Sequence, residues 1–410
     1  MVFDILYRIY YGFINPPAAK KNNDAIRFGL LGASNIAPIS LIAPATSHPD
    51  VIVAAIAARD RTRAEKFAKK HNIPIVHSTY EDAIYIALPD SKHYEYALRC
   101  LSAKKHVLLE KPSCSNSREA KSLFTHPLAT ASTAPVLLEA FHYRFHPAWQ
   151  TFLNVIHNAA EVGPIKFASA EQYFPKYAFG KDDIRWQFGL SGGCMMDFGT
   201  YPMNILRQVL REEPGDELKA EARRVGLDVD GKEEVDEAMM ARYVTKGGAV
   251  GRMVADLRYA SWAFLPGLAW PKCEVECGEK EVETGEVERC FVKRKVVFWN
   301  HLMPSIYHRI DVEDTYSIRV GEEVLKTWKD ERYLKAYTWP SGDKGGPDKV
   351  GKEWWSSYFY QLEEFVNRVK GREGSGVWVD GEDSIKQMEA IDLVYKKAGM
   401  QPRPSSGFQL

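Results

Sequence analysis

The 410-residue sequence predicts an α/β chain in two parts: a doubly wound parallel sheet first, then an α+β part built on a large, mostly antiparallel open sheet. Three observations predict this. Residues 26–31 read as a strand that passes into the turn Gly32-Ala33-Ser34-Asn35-Ile36-Ala37. Val107-Leu108-Leu109-Glu110-Lys111-Pro112 reads as a strand covered on both faces and stopped by a proline, which cannot donate to a ladder. Beyond about residue 225, the stretches 238–244, 251–257 and 291–299 alternate apolar and polar residues with the period of half-buried strands.

Composition bounds the rest. The chain carries 54 Lys and Arg against 54 Asp and Glu. Zero net charge without a basic block argues against a nucleic-acid partner, whose affinity comes from phosphate neutralisation. The six cysteines follow no framework. Cys273 and Cys277 stand close together with Cys290 further on, but no paired ligands follow at zinc spacing, so reduced thiols in a cytoplasmic protein without a metal are expected. Residues 1–13 are apolar and aromatic but include Asp4 and Arg8, and fall short of the ~20 residues that span a bilayer. No basic segment or small-residue cleavage site marks a secretory signal, and no membrane partner is expected. An amphipathic arm, lying on the chain or on a partner, and a linker through Pro16, Pro17 and Lys21 account for residues 1–24.

The turn at Gly32 fits G-x-G-x-x-G/A with Gly32 first, Ser34 in the second place and Ala37 in the third. The first glycine permits the tight turn; the second lets backbone approach a pyrophosphate, and there Ser34 departs from the pattern. Asn35 and Ile36, in the same turn, are expected with Gly32 and Ser34 to contact the cofactor. The strand at 51–58 ends in Arg59-Asp60-Arg61-Thr62-Arg63. An acidic residue at this point suits a ribose hydroxyl, whereas an arginine suits a 2′-phosphate, so Arg59 and Arg63 point to NADP. Asp60 equally suits a helix N-cap. Strands at 75–76 and 83–88 follow with only residues 77–82 between them, too few for the usual crossover helix between parallel neighbours. Pro89 and His93 lie in the loop after the fourth strand, where His93 either lines a cofactor cleft or caps a helix.

Lys111 then stands at the carboxyl end of a strand, the edge at which open α/β sheets bind ligands. A further strand at 136–139 runs into Ala140-Phe141-His142-Tyr143-Arg144-Phe145-His146-Pro147. Continued extended chain puts His142, Arg144 and His146 on one side and the aromatic rings on the other. That is a polar substrate wall in preference to a metal site with Glu139. In Gly192-Gly193-Cys194-Met195-Met196-Asp197-Phe198-Gly199-Thr200-Tyr201-Pro202 a helix begins that places Asp197 and Tyr201 four apart on one face. A tyrosine that exchanges a proton with a substrate hydroxyl needs its phenolate favoured, and a nearby ammonium does this. Lys111 is the expected source. Taken singly, Asp197 could be a helix cap and Tyr201 a core aromatic.

In this order the turn at Gly32, Glu110-Lys111-Pro112, the stretch from Glu139 to Pro147 and the stretch from Gly192 to Tyr201 resemble the glucose–fructose oxidoreductase/inositol dehydrogenase (Gfo/Idh/MocA) family. Its branch of dimeric dihydrodiol dehydrogenases and fungal NADP-dependent D-xylose dehydrogenases is the most similar. The resemblance covers about residues 25–400. It implies a Rossmann domain at 25–142 and a substrate and oligomerisation domain at 143–382. A helix at 383–400 would pack back on the first domain, leaving a loose tail at 401–410. It also implies a homodimer through the second sheet and an NADP-dependent dehydrogenase acting on a small aldose or diol. Lys111 and Tyr201 would be catalytic, with Asp197 polarising them. Glu110 and Lys111 would face the cofactor, and His142, Arg144 and Tyr201 the substrate. A non-catalytic NADP-binding regulator of the same fold is the rival expectation.

Overall fold

The computed structural model describes residues 2–76, 82–227, 234–259, 269–282, 289–340 and 351–410. Strands β1 (Ile26–Leu31), β2 (Val51–Ala57), β3 (Ile75–Val76), β4 (Ala83–Ile86), β5 (His106–Leu109) and β6 (Leu137–Glu139) form one parallel sheet in the order β3-β2-β1-β4-β5-β6. The strand order reverses between β1 and β4, which opens a crevice at their carboxyl ends. The strands are apolar because both faces are covered: Ala83 to Ile86 and Val107 to Leu109 are fully buried.

Helices α1 (Val2–Ile9), α2 (Ala43–Ser47), α3 (Arg61–His71), α4 (His93–Ser102), α5 (Ser117–Phe124) and α6 (Pro127–Thr130) belong to this first half. Asp60 caps α3 by accepting from the Arg63 backbone N–H at 3.0 Å, and Asn72 ends it in the left-handed conformation at φ 55°. The arm of α1 lies on the chain itself. Its Arg8 is buried, donates to the Ile306 carbonyl, pairs with Glu353 at 2.8 Å and stacks over the Tyr337 ring.

β3 and β4 lie on opposite sides of the β1–β2 pair, so they are not neighbours. Val76 is level with Ile56, and Ile56 with Leu30, which pairs with Tyr85 in β4. The shortened crossover expected at residues 77–82 falls almost wholly outside the described residues; both flanking strands are in place.

Helix α7 (Pro147–His157) leads to the second sheet, made of β7 (Ile165–Pro175), β8 (Lys219–Leu227), β9 (Glu234–Val244), β10 (Val250–Tyr259), β11 (Lys272–Cys277), β12 (Lys280–Val282), β13 (Arg289–Trp299), β14 (Arg309–Val320) and β15 (Glu323–Leu334). The order is β15-β14-β13-β11-β7-β10-β9-β8, with β12 added to β13. All pairings are antiparallel except β7 with β10. Helix α8 (Thr200–Leu210) lies against β7 and β10. Of the acidic stretch 279–288, residues 283–288 lie outside the described residues, as does most of the loop expected at 342–352.

Two late helices return to the first sheet. Helix α9 (Ser357–Val369) brings Phe365 to 5.7 Å from Phe28 of β1, ring to ring. Helix α10 (Gly381–Lys397) packs on α5, where Asp392 accepts from the Ser117 backbone N–H at 2.9 Å and its hydroxyl at 2.6 Å. The tail expected to be loose at 401–410 is instead strapped down, and this corrects the sequence expectation. The Arg403 side chain is wholly buried and donates to the Gly192 carbonyl at 2.5 Å and to Asp236 at 2.7 Å. Asp236 also accepts from the Tyr395 hydroxyl at 3.0 Å and the Met195 backbone N–H at 2.6 Å. Asn116 holds the Arg403 carbonyl and Ser405, Glu119 takes the Ser406 N–H, and Arg99 stacks over Phe408. A hydrophilic composition suggests a free end only when its polar groups lack partners, and these have them.

Removing one member of a fully buried pair strands the other charge, at a cost of about 3–5 kcal/mol. Arg403→Ala is therefore expected to lower the urea midpoint of unfolding sharply, while Lys397→Ala, in the same region but exposed, leaves it nearly unchanged.

Candidate active site

The crevice between β1 and β4 is shaped by Gly32. Its φ is +100°, and a Cβ there would stand 2.6 Å from the Ala87 carbonyl oxygen after β4. Glycine is required for both reasons. Ser34 accepts from the Ala37 backbone N–H at 3.3 Å, so its hydroxyl caps the turn that Asn35 and Ile36 lead into. Arg63 reaches back from α3 and donates to the Ala33 carbonyl at 2.7 Å. Arg59 is exposed at the end of β2 and makes no ion pair among the described residues, whereas the Asp60 carboxylate is engaged as the α3 cap. Pro89 opens the single turn Asp90–Lys92 at the end of β4.

His93 does not line this crevice. Fully buried, it sets its two ring nitrogens against the Pro112 carbonyl at 2.8 Å and the Leu88 carbonyl at 3.0 Å. Burial, opposed by the two carbonyls, pushes its pKa down to about 4; the neutral ring donates to one of these carbonyls and sits between the loop after β4 and the turn after Lys111. Its expected cofactor contact is corrected to a structural one.

At the end of β5 the chain turns through Glu110, Lys111 and a cis Lys111–Pro112 peptide. Glu110 is buried, takes the Tyr85 hydroxyl and meets the Lys111 backbone N–H at 3.3 Å; Tyr85 in turn meets Ser40 at 2.7 Å. Lys111 Nζ donates to the Asp197 carboxylate and to the Asp197 backbone carbonyl, both at 2.9 Å. The other carboxylate oxygen of Asp197 takes Arg185 Nε, and Arg185 also holds Asp183 at 3.0 Å. Burial works against the charge of Lys111, but Asp197, Asp90 and Glu110 outweigh it and its pKa is raised. Burial likewise opposes the charge of Asp197, and Lys111 with Arg185 reverses the balance, so Asp197 stays ionised below the ordinary carboxylate range. Asp90 faces the same group; burial, with only partial relief from Lys111, pushes its pKa well up.

Tyr201 stands beside this pair, with Lys111 Nζ 5.0 Å from the centre of its ring. The expected lowering of its pKa is corrected. Burial, then the Glu110 and Asp197 carboxylates, drive it well above the ordinary value. Lys111 meets the ring face, and its charge is already balanced by Asp197. The Tyr201 hydroxyl points instead to His142 Nε2 at 3.3 Å.

The extended wall expected from Ala140 to Pro147 is also corrected. His142–Phe145 is a 3₁₀ turn, all four residues of which are buried. His142 sits behind Tyr201 with 1% of its surface exposed, so it supports the tyrosine and does not present itself to a substrate. Arg144 is bound to Asp383, which also pairs with Arg207 at 2.8 Å, and its expected substrate contact is replaced by this ion pair. His146 caps α7, and Glu139 accepts from the Ser113 N–H at 2.8 Å. Among the described residues no three His, Cys, Asp or Glu side chains gather to hold a metal, and no helix is long and apolar enough to cross a membrane. Sequence reasoning missed Arg185, Asp90 and Tyr85, because nothing local distinguishes them from surface charges or strand aromatics.

A lysine–aspartate pair with a tyrosine beside it thus stands at the carboxyl end of β5, on the sheet edge where ligands bind in such folds. Residues 26–132 match the model of an oxidoreductase family with an NAD-binding Rossmann fold, and residues 155–279 match the GFO/IDH/MocA C-terminal domain. The chain belongs to the Gfo/Idh/MocA family. It is 34% identical over 191 residues to an NADP(+) D-xylose 1-dehydrogenase of Haloferax volcanii, covering 45% of this chain and 57% of that protein. It is 32% identical over 209 residues to a trans-1,2-dihydrobenzene-1,2-diol dehydrogenase of Xenopus tropicalis, covering 48% and 60%. The chain thus spans a little over half the length of the curated relatives it matches. A 3-ketoreductase from Actinomadura kijaniata, solved with NADP and TDP-benzene, has the same fold. The TM-score is 0.63 at 22% identity, over 91% of this chain and 98% of that one.

Gly32→Ala is expected to abolish dinucleotide binding measured by calorimetry, because the strained φ and the Ala87 carbonyl leave no room for a Cβ. A second test concerns Glu139, whose pKa burial raises from 4.5 to about 7. A carboxyl raised on folding stabilises fully below its unfolded value, and that contribution is lost as pH rises through 7. Glu139→Gln, which mimics the protonated form, should flatten the fall in urea stability between pH 4.5 and 7.

Proposed function

We propose that the chain is an NADP-dependent oxidoreductase that removes hydride from the hydroxyl-bearing carbon of a small aldose or diol, with D-xylose to D-xylonolactone as the leading reaction. The observation that carries this is the Lys111 ammonium, 2.9 Å from Asp197 and over the Tyr201 ring, at the carboxyl end of β5. It stands on the strand edge that borders the crevice. The residues at that crevice fit a dinucleotide: Gly32 brings the turn close, and Arg59 is exposed, with no ion pair among the described residues, at the end of the strand where an arginine suits a 2′-phosphate. When bound, the nicotinamide supplies the hydride acceptor. The xylose and dihydrodiol relatives support the substrate class, and the NADP in the name of the first supports the cofactor.

In this mechanism Lys111 and Asp197 fix the polar floor of the site. Lys111 presents a charged donor to the substrate oxygen and stabilises negative charge as it develops there. Tyr201 exchanges the proton of the substrate hydroxyl. Arg185 holds Asp197 from the far side and keeps its carboxylate from turning away. Oxidation of a trans-dihydrodiol uses the same groups, and the dihydrodiol relatives keep it as the alternative. A non-catalytic regulator would have no use for Lys111, Asp197 and Tyr201 together. In this reading two copies pair through the second sheet, whose last strand exposes Val324, Leu325 and Tyr333.

The first experiment is fluorescence titration of the chain with NADPH and NADH, followed by turnover on a panel of aldoses and diols. Tight NADPH binding with xylose turnover is expected; failure of a folded chain to bind either dinucleotide removes the reading. Lys111→Ala and Tyr201→Phe should each lower kcat by about 10²–10⁴-fold with dinucleotide affinity retained. Arg59→Ala should weaken NADPH about tenfold or more, some 1.4 kcal/mol, and leave NADH unchanged.

A further inference from the structure

The Tyr201 hydroxyl is buried, and its pKa is raised by the burial and by two nearby carboxylates. A phenol in that state does not ionise on its own, so it can take up a substrate's proton only if its own proton has somewhere to go. Among the described residues, the one side-chain partner of this hydroxyl is His142 Nε2, at 3.3 Å. The opposite ring nitrogen, Nδ1, lies 2.8 Å from the Ser357 hydroxyl at the start of α9. Tyr358, next in sequence, packs its ring 4.0 Å from the imidazole, so two neighbouring residues of α9 hold the ring in place. Burial, with Lys111 adding to it, pushes the imidazole pKa down to about 3. His142 is therefore neutral, with one N–H and one free lone pair. A phenol is the stronger donor of the two groups and an imidazole nitrogen the stronger acceptor, so the proton lies on the tyrosine oxygen and points at Nε2.

We propose that His142 is the proton partner of Tyr201: Nε2 accepts the tyrosine hydroxyl, Nδ1–H is anchored on Ser357, and the tyrosine oxygen faces the substrate as a proton acceptor. For the substrate this rests on the dehydrogenase reading above. A bound nicotinamide would accept the hydride from the substrate carbon; on the chain's side, the substrate O–H bond breaks and its proton joins the Tyr201 oxygen. The Tyr201 O–H bond breaks in the same step, and that proton joins His142 Nε2. The substrate becomes a carbonyl and tyrosine remains a neutral phenol; because burial disfavours the imidazolium, His142 holds the released proton only while the product forms and gives it up as the product leaves. His142 is thus a positioning residue, acting through Tyr201.

The test has two arms. ¹⁵N-histidine NMR of the full chain at neutral pH, with the His142 signal identified by its loss in His142→Gln, reads the tautomer without cofactor or substrate. A protonated Nδ1 with an unprotonated Nε2 that shifts in Tyr201→Phe is expected; a protonated Nε2 in the unmodified chain overturns the proposal. In the kinetic arm, His142→Gln should lower kcat about 10²-fold with the dinucleotide Kd unchanged, since an amide accepts a hydrogen bond but not a proton. Ser357→Ala, a small change at a helix start, should lower kcat about tenfold. Undiminished kcat in His142→Gln overturns the proposal while leaving the dehydrogenase reading intact. A wild-type chain that oxidises no aldose or diol defeats that reading, and the tautomer then decides the proposal alone.

Discussion

The contact between Lys111 and Asp197 joins the two halves of the molecule. Lys111 comes from the end of a parallel strand, and Asp197 from the helical turn laid on the antiparallel sheet. Both are largely buried, with 11% and 21% of their side chains exposed. Burying two charges costs several kcal/mol each, and only good geometry with further hydrogen bonds offsets that. Here the offset is visible. Lys111 takes both the carboxylate and the backbone carbonyl of Asp197, and Arg185 takes the remaining carboxylate oxygen. Fixing this pair fixes where β5 ends relative to α8, and hence where Tyr201 stands.

The same helix is anchored at its start by a second buried charge. Asp236 on β9 receives the Met195 backbone N–H, Tyr395 of α10 and Arg403 of the tail. Gly193, at φ +133°, has no Cβ because one would overlap Asp236 and Arg403. Segments more than 160 residues apart thus meet at the turn that launches Asp197. The polar cluster costs desolvation but defines a single position for that turn, which a purely apolar contact would leave freer to slide.

Charge around Lys111 is arranged to be held rather than shared with the tyrosine. Asp197, Asp90 and Glu110 all face the ammonium, and Tyr201 meets it through the ring. The hydroxyl is left to His142. A lysine and a tyrosine close in space need not act as an acid–base pair, because the direction in which each polar end points decides which groups exchange protons.

The sequence by itself determined the order of the parallel strands' raw materials, the glycine turn, the strand end at Lys111 and the four-residue spacing of Asp197 and Tyr201. These are local properties, set by side-chain period, turn chemistry and the missing donor of proline, and such properties are written in consecutive residues. Only the tertiary structure decided that the stretch from His142 to Phe145 coils, that Arg144 serves Asp383, that His93 sits between two loops, and that the tail is strapped by Arg403. Each depends on a partner 19 to more than 200 residues away. A buried polar group takes whichever partner packing brings within about 3 Å, and no spacing along the chain encodes that choice.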